Sequence, residues 1–341
     1  MSEVQPVQMP DITRNAEGKE RRLGVELEMS DITVDRLAKL VSEFLHDQGM
    51  AVDVRESGRY DWEIVGDPAG DWQVELDFGL LKSMGRQAIE PGMMGELVQS
   101  LEELMASVAE TVVPVELVSP PLPMARLQQV ETLISRIRKH GAKGTSDRWS
   151  NAFGMHLNME VPETTADYID SILKAFFCLF DWLRVRCQVD MARRVTPYID
   201  PFPVDYVRLV LAPDYQPDLE QLMRDYLEFN PTRNRALDML PVFAHVDEKL
   251  VREYTDDPRI KSRPALHYRL PNCDIHDEGW SLSLAWNDWL AVERLAADRQ
   301  LLNLCCHDYL AYLNSPSERL FGQWLKTLQG QYVPMLTGSS G

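Results

Sequence analysis

Two short runs of the chain alternate strictly between apolar and polar positions: Gly24-Val25-Glu26-Leu27-Glu28-Met29 and Gly154-Met155-His156-Leu157-Asn158-Met159. Successive side chains of a β-strand point to opposite faces, so each run predicts a strand. Glu26 and Glu28 then share one face, as do His156 and Asn158. Val25, Leu27, Met29, Met155, Leu157 and Met159 make the other face apolar. Around these runs the strands are expected at 23–29 and 153–161, with further strands at 51–55, 60–65, 72–78, 113–118 and 265–270. Glu56-Ser57-Gly58 and Gly66-Asp67-Pro68-Ala69-Gly70 are turn signals, and they predict an antiparallel meander through the second, third and fourth strands.

Other segments keep a helical period. Val34, Leu37, Leu40, Val41, Phe44 and Leu45 form one stripe that stops near Gly49, and Met94, Leu97, Leu101, Leu104, Met105 and Val108 form another. Leu127, Val130, Leu133, Ile134 and Ile137 form a third, which runs into Arg138-Lys139-His140-Gly141. Basic residues and a glycine favour a helix C-terminus there. A long helix is expected over 165–189, and the last third reads as helical through 281–313 and 317–328. Strands and helices mix without regular βαβ alternation. The expected class is α+β, with a mostly antiparallel sheet of about six strands and helices on its outer face. Residues 1–19, polar and carrying Pro6 and Pro10, read as a loose tail; 20–330 read as a single domain, helical from about 280; and 331–341 read as a second tail.

Charge narrows the partners. Among 341 residues, 53 acids against 35 bases give a formal net charge of −18. Phosphate backbones and anionic membranes demand Lys and Arg, so neither nucleic acid nor membrane is an expected partner. Small substrates, metals or basic partners suit such a chain, and self-association is left open. Cys178, Cys187, Cys273, Cys305 and Cys306 are odd in number and lack CxxC spacing, so they read as buried free thiols in a reducing compartment. The opening Met-Ser-Glu-Val-Gln-Pro has neither the basic nor the apolar region of a secretory leader. The apolar stretch 172–185 is interrupted by Lys174, Asp181 and Arg184 and is too short to span a bilayer. A cytoplasmic location is expected.

The polar face of the predicted sheet carries the candidate chemistry. It collects Glu26 and Glu28, Asp61 and Glu63, Glu75 and Asp77, Glu116, His156 with Asn158, and His267 with Arg269. One reading is an ordinary solvated face of an antiparallel sheet. Against it, Glu26, Glu28, Glu75, Asp77 and Glu116 come with no lysine among them. Like charges opposed on neighbouring strands are destabilising, so such a face calls for cations. The metal reading outweighs the solvated one. Carboxylates suit Mg²⁺ or Mn²⁺, and the histidines tilt the choice toward Mn²⁺.

Four motifs in order, Gly24-Val-Glu-Leu-Glu28, Glu116-Leu-Val-Ser-Pro-Pro-Leu122, Gly154-Met-His-Leu-Asn158 and Leu266-His-Tyr-Arg-Leu-Pro271, resemble the amidoligases. These are similar to glutamine synthetase and glutamate–cysteine ligase, ATP-dependent carboxylate–amine ligases. The resemblance covers roughly residues 20–300. It implies a curved antiparallel sheet like the glutamine synthetase catalytic domain, its concave face holding ATP and two or three divalent cations. It implies that Glu26, Glu28 and Glu116 ligand metals, that His156 ligands the nucleotide-bridged metal, and that Arg269 faces the transferred phosphoryl group. The family's Glu-x-Arg strand reads His267-Tyr268-Arg269 here, and its Gly-x-His-x-His form reads Gly154-Met-His156-Leu-Asn158. One metal-binding carboxylate is thereby exchanged for an imidazole.

Arg233 and Arg235, in Asn230-Pro-Thr-Arg-Asn-Arg-Ala-Leu, are candidates for phosphate or carboxylate contacts; two solvated surface arginines are the other reading. Lys143 and Arg148 lie in a glycine-bearing stretch before the His156 strand, where a lid over the nucleotide competes with an ordinary surface loop. His245, His276 and His307 lack ligand-like spacing, and Trp280, Trp286 and Trp289 read as core. The expected activity is ATP-dependent ligation of a carboxylate to an amine. The site residues are Glu26, Glu116 and Arg269 for catalysis, with Glu28, Glu75, His156 and His267 as further metal ligands. Asn158, Lys143, Arg233 and Arg235 are expected at the nucleotide. Two rivals are a metal-dependent hydrolase using the same acids and histidines, and a degenerate relative that binds an amino acid or peptide.

Overall fold

The computed structural model describes residues 6–58, 60–76, 114–145, 153–187, 201–320 and 322–338. The expected helix at 94–108, Asp77 and Arg148 lie outside them. The strands are β1 (Arg22–Met29), β2 (Asp53–Gly58), β3 (Asp61–Val65), β4 (Trp72–Leu76), β5 (Val115–Val118), β6 (Leu122–Pro123), β7 (Met155–Glu160), β8 (Leu237–Asp238) and β9 (Ala265–Tyr268). They form one nine-stranded sheet in the order β2-β3-β4-β5-β1-β7-β9-β8, with β6 pairing the start of β1. The described pairings are antiparallel. About six strands were expected. The excess comes partly from β6 and β8, whose two residues each are too short to show any alternation.

The apolar face of β1 is sealed: Leu23, Val25, Leu27 and Met29 are at most 2% exposed. The first helix, α1 (Val34–Asp47), turns its Leu37, Leu40, Val41, Phe44 and Leu45 stripe inward and packs on β2, β3 and β4. The next, α2 (Leu127–Lys139), buries its own leucine and isoleucine stripe. Behind β9, Tyr268 meets Phe176 of α3 (Ala166–Arg186) at 6.1 Å between ring centroids. A long return through α4 (Val204–Leu211), α5 (Leu219–Phe229), β8 and α6 (Leu240–Tyr254) precedes β9. Trp289 of α7 (Leu282–Ala297) then closes on Tyr268 at 5.2 Å. Because Tyr268 and its neighbour His267 point to opposite faces, this aromatic contact leaves His267 on the other side of the sheet.

The single helix expected over 281–313 is divided. Asp298 caps α8 (Arg299–Asn314) by accepting the Gln300 and Leu301 amides, a helix start that ends α7 one residue earlier. Both expected tails are docked where they are described. The Trp286 indole donates to the Gln8 carbonyl and the Asn287 amide to that of Pro6, so the chain before β1 lies along α7. At the other end residues 323–337 are helical in successive short segments, and Arg294 donates to the Leu336 carbonyl. The five cysteines are free thiols, four of them buried. Among the described residues, no helix is long and apolar enough to cross a membrane.

Candidate metal and anion site

Strand register assembles the polar face. Directly opposed residues share a face, so the pairs Asp61↔Glu75, Glu75↔Glu116 and Glu116↔Glu28 place four carboxylates in one row across β3, β4, β5 and β1. A second row pairs Glu26 with His156. A third runs Gly24↔Asn158↔His267↔Asp238 across β1, β7, β9 and β8. Acids therefore occupy one end of the face and imidazoles the middle.

Hydrogen bonds fix how the middle is used. The His156 Nδ1–H donates to Glu26 Oε2 at 2.9 Å. Its Nε2 lies on the other side of the ring, 3.7 Å from Glu28 Oε1. The Asn158 amide donates to Glu26 Oε1 at 2.7 Å, which settles the orientation of the amide group. Its oxygen then accepts from Arg263 at 2.6 Å and from His267 Nδ1–H at 2.7 Å. His267 Nε2 in turn accepts from Arg269 at 3.2 Å. His267 is thus neutral, with both ring nitrogens engaged. Burial above all, with Arg269 beside it, holds its pKa well below the ordinary imidazole value. For Glu26, burial alone would raise the carboxyl pKa; the hydrogen bonds donated by His156 and Asn158 outweigh it and keep Glu26 ionised, well below the usual range.

Among the described residues, two donor groups have ligand atoms within 4.8 Å of one another: Glu28, Glu116 and His156, and Glu26, His156 and His267. The first is suited to a divalent cation. It offers two carboxylates and an imidazole nitrogen whose partner nitrogen is tied to a carboxylate, an arrangement that orients metal-binding histidines. Glu28 is itself held by the Gly154 amide, which donates to Oε2 at 2.7 Å. In the second group Glu26 acts as the orienting carboxylate. The geometry does not favour His267 as a ligand, because Arg269 occupies its Nε2. Glu75, opposite Glu116, extends the first group along the row.

The arginines divide by their contacts. Arg235 donates to Asn230 Oδ1 at 2.8 Å and to the Pro201 carbonyl at 2.8 Å, and it lies 5.8 Å from the Phe202 ring. Those bonds tie it into the fold. Arg233, half-buried, makes no hydrogen bond or ion pair with the described residues, and burial together with Arg269 lowers its pKa. Arg263 was missed by sequence reasoning; its only signal was the Arg263-Pro264 step just before β9. Asp238 was missed as well, since β8 is too short to read.

The 141–145 stretch, expected to be a flexible lid or loop, is pinned. Lys143 pairs its backbone with Ser30 in both directions at 2.9 Å. Thr145 Oγ1 donates to the Phe153 carbonyl and accepts from the Cys273 amide.

Compared with known families, residues 19–291 match the family described as "putative amidoligase enzyme", more than half of the chain. The chain belongs to this family. No curated protein and no solved structure matches it. Within this amidoligase the match covers all of the face just described, from Glu26 on β1 through Arg269 after β9.

Proposed function

We propose that this amidoligase joins a carboxylate to an amine at the expense of ATP. The γ-phosphoryl group passes to a carboxylate oxygen and ADP leaves. The amine nitrogen then attacks the acyl carbon, the C–N bond forms, and phosphate departs with loss of the amine proton. The observation that carries the reading is the opposition of Glu28 and Glu116 with His156 Nε2 turned toward them. Mg²⁺ or Mn²⁺ held there would neutralise phosphate oxygens. Arg269 and Arg233 supply positive charge at the other end of the face, where charge develops on the transferring group. Family membership supports ligase chemistry, and no side-chain nucleophile is required of the fold. Free thiols fit a cytoplasmic setting.

The test is ADP release by the purified chain with Mn²⁺ or Mg²⁺ and a panel of carboxylates and amines, repeated with Glu28→Gln and Glu116→Gln. Metal- and amine-dependent ADP release, abolished in both variants, supports the ligase. Metal-dependent hydrolysis without nucleotide would assign the same donors to a hydrolase instead.

A further inference from the structure

Three of the free thiols gather behind the sheet, away from the polar face. Cys178 of α3 lies 3.9 Å, sulfur to sulfur, from Cys306 of α8. The Cys305 thiol bonds it as well. All three are buried, Cys178 and Cys305 with no exposed surface at all. A thiol packed in a core is ordinarily a small, inert hydrophobe. Two observations remove Cys306 from that reading.

The first is access. Cys306 lines a cavity of about 730 Å³ formed by α3, the end of α4, the 212–217 loop and the face of α8 that carries Arg299, Asn303 and His307. A small solvent-borne oxidant therefore has room to reach it. The second is the partner. Cys178, sealed from solvent and in contact with Cys306, is placed to resolve a product formed there. The sulfurs must close from 3.9 Å to about 2.05 Å, which side-chain rotation on two packed helices can share. Burial, with Cys305 and Cys306 beside it, pushes the Cys178 pKa well up, so Cys178 remains a thiol until Cys306 has reacted.

We infer that Cys306 and Cys178 form a peroxide-responsive dithiol, Cys306 oxidised first through the cavity and Cys178 closing the disulfide. The Cys306 sulfur, its proton lost, attacks one peroxide oxygen. An S–O bond forms, the O–O bond breaks, and the leaving hydroxide takes up that proton as water. Cys306 is then a sulfenic acid. Cys178 gives up its proton and its sulfur attacks that of Cys306; the S–S bond forms, the S–O bond breaks, and a second water leaves. Two thiols and one peroxide thus give one disulfide and two waters. The link joins residues 128 positions apart and fastens α8 to α3, whose Phe176 packs on Tyr268. It uses nothing on the polar face and does not depend on the ligase reading.

The experiment is peroxide titration of the reduced, folded full chain, followed by alkylation, proteolysis without reductant and mass spectrometry. A cross-linked peptide joining Cys178 to Cys306 is expected, and dithiothreitol should release it. The oxidised chain should also melt higher than the reduced one, since a link across so long a loop restricts the unfolded chain. Cys178→Ser should abolish the link and leave Cys306 to be trapped as its sulfenic acid by dimedone. Cys305→Ser should leave the link unchanged. The wild-type cross-link tests the pairing even where a variant fails to fold. No link in the folded chain, a link from Cys178 to Cys305, or a link formed only after unfolding in urea would overturn the inference. So would a folded Cys178→Ser variant whose Cys306 takes no dimedone.

Discussion

His156 gives its Nδ1–H to Glu26 at 2.9 Å and turns Nε2 toward Glu28. One imidazole is therefore oriented by the first acid of the β1 pair and works beside the second. Two glutamates that look equivalent in Gly-Val-Glu-Leu-Glu acquire different tasks. Glu26→Gln should then weaken Mn²⁺ binding by roughly 10–100-fold, the usual cost of losing an orienting partner. Glu28→Gln should weaken it further. Calorimetric titration of both variants with Mn²⁺ checks the order, and equal losses would return Glu26 to the ligands.

The facing carboxylates Glu116 and Glu28 make a second prediction. Like charges directly opposed destabilise a sheet, so Glu116→Gln should stabilise the metal-free protein by about 0.2–1 kcal/mol. The same variant should lose the stabilisation that Mn²⁺ gives the wild type, about 2.7 kcal/mol at a hundredfold excess over Kd. Thermal melts with and without Mn²⁺ read both effects.

The fold class was legible because long strands and amphipathic helices carry their period openly: β1, β7, α1 and α2 all lie where the alternation or the stripe predicts them. The acids and His156 were legible for the same reason. Their division of labour was not, because it depends on register and on which atom of His156 or Asn158 meets Glu26. Asp238 and Arg263 lie on a two-residue strand and in a Pro-preceding loop, where no period exists to be read. Arg233 and Arg235 look identical in sequence; only the tertiary neighbours Phe202 and Pro201, 33 and 34 positions from Arg235, separate them.

That separation is testable. Arg235→Ala should lower stability by about 0.5–1.5 kcal/mol, since it removes part-buried hydrogen bonds and a ring contact, with little change in ligand affinity. Arg233→Ala should leave the melting temperature nearly unchanged and raise KM for the anionic substrate. Denaturant unfolding and steady-state kinetics on the pair separate the two roles. A stability loss confined to Arg233→Ala would reverse the assignment.

Stability should also depend on pH in opposite senses across the site. His267 has a folded pKa below its unfolded 6.5, so the unfolded chain takes up the proton first and stability falls as pH drops below about 6.5. Glu26, held below 4.5, adds to that loss on further acidification. Asp238 works the other way. Burial raises its carboxyl to about 6 from 3.8, so the folded chain binds the proton more tightly and Asp238 destabilises the protein as pH rises through 6. Asp238→Asn keeps an oxygen for the Leu240 amide and removes the buried charge. It should therefore raise the melting temperature at pH 8, by an amount equivalent to about 1–3 kcal/mol, and change it little at pH 4. A variant equally stabilised or destabilised at both pH values would show that Asp238 carries no buried charge. The predicted gain in stability is what neutralising a buried carboxylate with one unmatched oxygen requires, since leaving that oxygen charged and unpaired costs the folded state.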